Sequence, residues 1–293
     1  MKKMNTFIKI IFSVFMATTF CGAIAANPIV IPLWQDKQPP VANELPDDAE
    51  VVENEGWISF VTKPELLVYP ATHPNGKALL MCPGGGYAGV AISHEGKAFA
   101  DVLNKEGVTV AVLKYRMPNN HSTVPADDVH EALAILKSHA SEWGIDPEKI
   151  GIGGASAGGH LASTVATHPQ EDSVTPAFQI LLYPVISMKE GLTHQGSRDF
   201  LLGTNPSQES VDFYSNELQV TPQTPPAFIV VSENDKVVPV ENSILYFDAL
   251  KSNEVPASLH IYPVGGHGWG IGSSTFPYND VWIQEMLTWL SQQ

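Results

Sequence analysis

Apolar positions along the chain cluster into short runs separated by longer amphipathic stretches. Residues 77–82 (Lys-Ala-Leu-Leu-Met-Cys) are almost wholly apolar, as a strand covered on both faces must be. Residues 108–115 read as the next buried strand, and residues 149–152, 178–185, 226–232 and 257–262 as further strands. Residues 57–61 and 66–69 read as a pair of edge strands separated by the turn Thr62-Lys63-Pro64. Helical spacing runs over residues 96–106, from Pro125 through His139, and over 240–253 and 279–292. Pro125 suits a first helical turn, where its missing N–H costs nothing, and Asp127 and Asp128 set negative charge at the positive end of the dipole. Strands alternating with helices predict an α/β class with a doubly wound, mostly parallel sheet. Residues 187–221 are less regular and sit where a small cap over the strand ends can be inserted.

Composition adds the boundaries. At 293 residues and 44% hydrophobic, one large α/β domain over residues 57–293 fits better than two small ones. Lys2, Lys3 and Lys9 precede an apolar run at 10–20 and a small-x-small site at Ala23-Ile24-Ala25, so residues 1–25 read as a secretory signal peptide cleaved before Ala26. The run is short for an anchor helix. A lipoprotein signal through Cys21 is the weaker alternative, since Thr18 stands where such signals prefer leucine. Residues 26–56, Pro-rich and acidic, read as an extended lead-in. Cleavage removes three lysines and no acids, so the net charge moves from −15 to −18. An acidic exported chain is not expected to bind nucleic acid or to associate stably with membranes. It keeps one cysteine, Cys82, which reads as a small core residue and allows no internal disulfide. The expected compartment is the periplasm or the cell exterior.

The chemistry centres on Gly154-Ala155-Ser156-Ala157-Gly158, fed by an apolar strand and followed by a run of small residues of helical character. Such a strand–turn–helix exposes the serine hydroxyl at the sheet edge and aims the helix dipole at it. A glycine-rich turn that merely holds a serine is the bland alternative. A serine nucleophile needs a base, and the base needs an orienting acid. His267, flanked by Gly265-Gly266 and Gly268, sits in a loop after a strand and is the expected base. His160 lies one helical turn beyond Ser156 and reads as a helix residue with a local hydrogen bond. Asp235, just past a strand's carboxyl end, is the expected acid, with Glu233 as the fallback. The oxyanion donors are expected from the N–H of Ala157 and, in the loop Pro83-Gly84-Gly85-Gly86-Tyr87, of Gly85 and Gly86. Tyr87, His194 and Trp269 are placed as substrate contacts, against the alternative that the two aromatics only pack. No His-Glu-x-x-His or paired-Cys spacing points to a metal, and neither a phosphate loop nor a dinucleotide fingerprint is complete, so no cofactor is expected.

With these residues in place, from about Leu67 to the C-terminus, the chain resembles the α/β-hydrolases of the esterase/lipase type. Pro83 stands where many hormone-sensitive-lipase-like esterases have histidine. Together with the export signal, the chain is similar to the secreted acetylxylan and feruloyl esterase branch of polysaccharide-degrading bacteria. The resemblance implies the α/β-hydrolase fold with a small cap, and Ser156 as nucleophile, His267 as base and Asp235 as its partner. It also implies an acylated plant-wall carbohydrate, most simply acetylated xylan, as substrate. A feruloyl esterase is the alternative within that branch. A serine peptidase-like hydrolase and a non-catalytic binding protein on the same fold stand further off.

Overall fold

The computed structural model describes residues 27–293 apart from Asp36, Glu55 and Asp172. The export signal expected over residues 1–25, with its Cys21 alternative, lies outside them. In chain order the strands are β1 (Ile29–Pro32), β2 (Val51–Asn54), β3 (Trp57–Ser59), β4 (Glu65–Tyr69), β5 (Gly76–Cys82), β6 (Gly89–Val90), β7 (Thr109–Lys114), β8 (Ile145–Ala155), β9 (Gln179–Leu182), β10 (Ala227–Ser232) and β11 (Ala257–Tyr262). The helices are α1 (Ala98–Leu103), α2 (Val124–Ser138), α3 (Ala140–Trp143), α4 (Ala157–Thr167), α5 (Gln195–Leu202), α6 (Gln208–Phe213), α7 (Glu241–Ser252) and α8 (Asn279–Leu290).

Eight strands form the main sheet in the order β1-β4-β7-β5-β8-β9-β10-β11. The pairs β1–β4 and β4–β7 are antiparallel, and every pair from β7–β5 onward is parallel. The apolar runs of β5, β7, β9 and β10 are continuous because these inner strands are buried on both faces. Along β5, Ala78, Leu80 and Cys82 point into the core shared with α2, α4 and α7, while Leu79 and Met81 point into the core shared with α1 and α8. This two-residue alternation places helices on both sides, the doubly wound arrangement expected from the pattern. Cys82 is fully buried in that core.

One reading of the N-terminal region needs correction. Residues 57–61 and 66–69 do not pair with each other. Trp57–Ser59 joins β2 and β6 in a separate three-stranded sheet, whereas β4 pairs with β1 and β7. Phe60 takes φ 49°, a left-handed turn that redirects the chain between the two strands. Within the extended lead-in, β1 adds the edge strand to the main sheet. Trp34 Nε1 donates to Asp128 Oδ1 at 2.8 Å, and Arg116, paired with Asp128 at 2.7 Å, also donates to the Val41 carbonyl at 2.7 Å. Asp128 and Arg116 are both buried, so removing either would strand a charge at a cost of about 3–5 kcal/mol. The lead-in is therefore tied to the domain through its core.

Candidate active site

The parallel strands send their carboxyl ends to one edge, and the residues singled out above gather there. Register aligns Cys82 with Gly154, Ala155 with Leu182, Leu182 with Val230 and Ser232 with Tyr262. The loops that follow β5, β8, β10 and β11 hold Gly84–Gly86, Ser156, Asp235 and His267 side by side.

Ser156 turns β8 into α4 at φ 52°, ψ −121°, a sparsely populated conformation. Its N–H donates to the Leu182 carbonyl at 3.0 Å, and its carbonyl accepts from His160 and Val185 at 3.1 and 3.0 Å, so the strained residue is held from both sides. The flanking glycines are required by space. A Cβ on Gly158 would stand 2.1 Å from the Cys82 carbonyl oxygen, and one on Gly154 would stand 2.1 Å from that of Gly158. His267 Nε2 lies 2.8 Å from Ser156 Oγ, and His267 Nδ1 lies 2.6 Å from Asp235 Oδ2. The other carboxylate oxygen, Oδ1, accepts from the N–H of Val237 and Val238 at 2.8 and 2.9 Å. The Asp235 side chain is fully buried while that of His267 keeps 15% exposure toward the cleft. The arrangement is a continuous relay from a dry carboxylate through an imidazole to a hydroxyl that lines the cleft. Glu233 is exposed in the preceding turn, and among the described residues the hydrogen-bond and ion-pair partners of the His267 ring are Asp235 and Ser156.

Ala157 opens α4, so its N–H has no carbonyl within the helix to meet. Gly85 at φ 147° and Gly86 at φ 65° follow β5, and among the described residues neither N–H is bonded to a protein acceptor. Gly84 is held by its N–H donating to Glu95 Oε2 at 2.8 Å. Gly85, Gly86, Ser156, His194 and His267 line one cleft of about 380 Å³. Free amides beside an aligned hydroxyl are what a developing oxyanion needs.

His194 caps α5 in the small insertion between β9 and β10, and it borders the cleft beside Gly86. Its Nδ1 accepts from the Ser197 N–H at 3.2 Å, and burial, with His267 nearby, holds its pKa below the usual histidine value. The two aromatics do not join it. Tyr87, at φ 60°, is turned into the core, where its hydroxyl donates to His160 Nδ1 at 2.8 Å. Trp269 is 4% exposed, stacks on Phe276 at 4.1 Å and donates to Ser232 Oγ at 3.0 Å. Both are packing residues, because their polar tips find partners only inside. His160 is fully buried, its ring meets Thr164 Oγ1 one helical turn on at 3.5 Å and also reaches the Tyr87 hydroxyl and the Tyr214 carbonyl, and burial depresses its pKa to about 4. Trp57, His94, Glu95 and Phe200 line the cleft without having been singled out from the sequence. Only the nearness of His94 and Glu95 to the glycine loop hinted at them. Among the described residues, no group of three or more His, Cys, Asp or Glu side chains is placed to hold a metal ion.

Comparison with known proteins follows the same outline. Residues 79–271 match a family model described as alpha/beta hydrolase fold. The chain is 39% identical over 233 residues to an acetylxylan esterase of Xylanibacter ruminicola, covering 78% of this chain and 48% of that protein. It is 36% identical over 212 residues to an endo-1,4-beta-xylanase B of Butyrivibrio fibrisolvens, covering 68% of this chain and 33% of the relative. The chain thus spans half or less of these curated relatives. Among solved structures it resembles an acetyl ester-xyloside bifunctional hydrolase from Caldicellulosiruptor lactoaceticus, with TM-score 0.78, 34% identity and coverage of 92% and 98% of the two chains. A doubly wound sheet, a serine elbow at one strand end and this extent of likeness agree: the chain belongs to the α/β-hydrolase fold family.

Proposed function

We propose that this chain is an exported serine esterase that removes small acyl groups, foremost acetyl, from plant-wall carbohydrate such as acetylated xylan. The observation that supports it most is the unbroken alignment of Asp235, His267 and Ser156 beneath free amides. The similarity to proteins named for acetylxylan and acetyl ester-xyloside hydrolysis supports the substrate class.

In this reading Ser156 Oγ attacks the ester carbonyl while His267 Nε2 takes its proton. Asp235 holds the ring through Nδ1–H and stabilises the imidazolium that forms. The N–H groups of Ala157, Gly85 and Gly86 hold the oxyanion, each donor contributing about 10²–10³ in rate. The sugar hydroxyl leaves with the proton from His267, and water then releases the acid by the reverse sequence. The cap is short, two helices of 8 and 6 residues, and leaves the cleft open to a chain-like substrate.

The test is acetate release from acetylated xylo-oligosaccharides by the chain starting at Ala26, with Ser156→Ala as control and methyl ferulate as a competing substrate. Release that vanishes in the variant, with methyl ferulate the poorer substrate, is expected. Preference for methyl ferulate would shift the reading to a feruloyl esterase. No release, alongside Ser156-dependent cleavage of an aryl acetate, would discard the carbohydrate.

A further inference from the structure

Glu95 is a buried carboxylate, 3% exposed, that the relay of serine, histidine and aspartate does not use. Each of its oxygens accepts one hydrogen bond. The Gly84 N–H donates to Oε2 at 2.8 Å, and the Tyr183 hydroxyl donates to Oε1 at 2.6 Å. Tyr183, itself fully buried, accepts in turn from the Gly270 N–H at 2.8 Å. Its ring packs 4.7 Å from that of His267 and 4.7 Å from that of Trp269. A second tie runs parallel, the Ile271 N–H donating to the His94 carbonyl at 2.9 Å. Burial, reinforced by the charge of Glu95, pushes the Tyr183 pKa well up, so the phenol remains a donor at any working pH.

We infer that Glu95 and Tyr183 form a buried brace that positions the glycine loop at 83–87 and the His267 loop relative to each other. This rests on the esterase reading above and adds residues to it. The chain of contacts runs Gly84, Glu95, Tyr183, Gly270, and so joins the oxyanion side of the site to the base side. Gly84 is wedged in the joint: a Cβ there would stand 2.6 Å from Glu95 Oε2 and 2.9 Å from Ser156 Cβ. Fixing the Gly84 amide toward Glu95 sets the peptide planes that follow, which leaves the Gly85 and Gly86 amides for the cleft. Tyr183 fixes the His267 ring by contact with it and by holding the backbone three residues on. Neither residue touches substrate atoms in this role. Their effect falls on the transition state, where small misplacement of an oxyanion donor or base is costly, rather than on substrate binding.

The experiment is steady-state kinetics of Glu95→Gln and Tyr183→Phe on an aryl acetate, with melting curves for each. Gln offers one acceptor oxygen in place of two, and Phe keeps the ring while removing the hydroxyl. Each variant is expected to melt cooperatively and to lose about 10–100-fold in kcat, with KM changed less than threefold. Because both act on one brace, the double variant is expected to lose little more than the worse single one. A folded variant with kcat within threefold of the parent, or with the loss confined to KM, would overturn the brace. If Glu95→Gln does not fold, Tyr183→Phe decides on the same criteria. Loss of fold in both would also overturn it, as the pair would then be a structural tie alone. Failure of the esterase reading shows separately, as parent activity that Ser156→Ala leaves intact.

Discussion

Replacing Ser156 with alanine is expected to lower kcat on an aryl acetate by about 10⁵–10⁶ while leaving the fold in place. That loss corresponds to about 7–8 kcal/mol of transition-state stabilisation. The substitution removes only Oγ, whose one protein partner among the described residues is His267 Nε2. The backbone that holds the elbow is untouched, since the bonds to Leu182, His160 and Val185 are all made by main-chain atoms of residue 156. The conformational cost at φ 52° falls on alanine much as on serine. Free amides remain, so a residue of catalysis over water, about 10³-fold, should persist. Urea unfolding of the variant checks that the loss is chemical, and KM should move little.

The second large effect is expected from Asp235→Asn, about 10⁴-fold in kcat near neutral pH. The local geometry fixes how asparagine must sit. Two N–H groups, from Val237 and Val238, point at Oδ1 and require an acceptor there. The amide oxygen of asparagine takes that place, which turns its NH₂ toward His267 Nδ1. The ring must then accept at Nδ1 and carry its proton on Nε2, the atom 2.8 Å from Ser156 Oγ. A base with its lone pair turned away from the nucleophile cannot take the hydroxyl proton. A kcat within tenfold of the parent would show that Asp235 does not set the tautomer, and Glu233 is too exposed to stand in for it.

The parts of this molecule that the sequence made legible are those where local pattern and chemistry coincide. Runs such as residues 77–82 and 108–115 read as buried strands, the glycines around Ser156 mark a turn where backbone passes close to backbone, and those around His267 mark left-handed turns. The order Ser156, Asp235, His267 then placed the relay, because parallel strands return every loop to one edge. What was illegible depends on pairing at a distance. Trp57–Ser59 stands five residues before β4, so a hairpin was the economical reading, yet its partners are β2 and the short β6. Tyr87 and Trp269 sit beside site residues in sequence, but left-handed turns at Tyr87 and Gly268 carry their rings into the core. Glu95 lies in a His-Glu-Gly run that reads as an ordinary polar helix start, and its contact with Tyr183 spans 88 positions. No local pattern encodes such a contact.

The central claim is that turnover passes through an ester on Ser156, and the most direct measurement is to trap it. The chain is mixed with an excess of aryl acetate, quenched in acid within the first turnovers, digested and mapped by mass. The account predicts one acetyl group, on the peptide containing Ser156 and absent from Ser156→Ala. Acetate released at the parent rate with no acetyl on that peptide, or with the label on another residue, would contradict it.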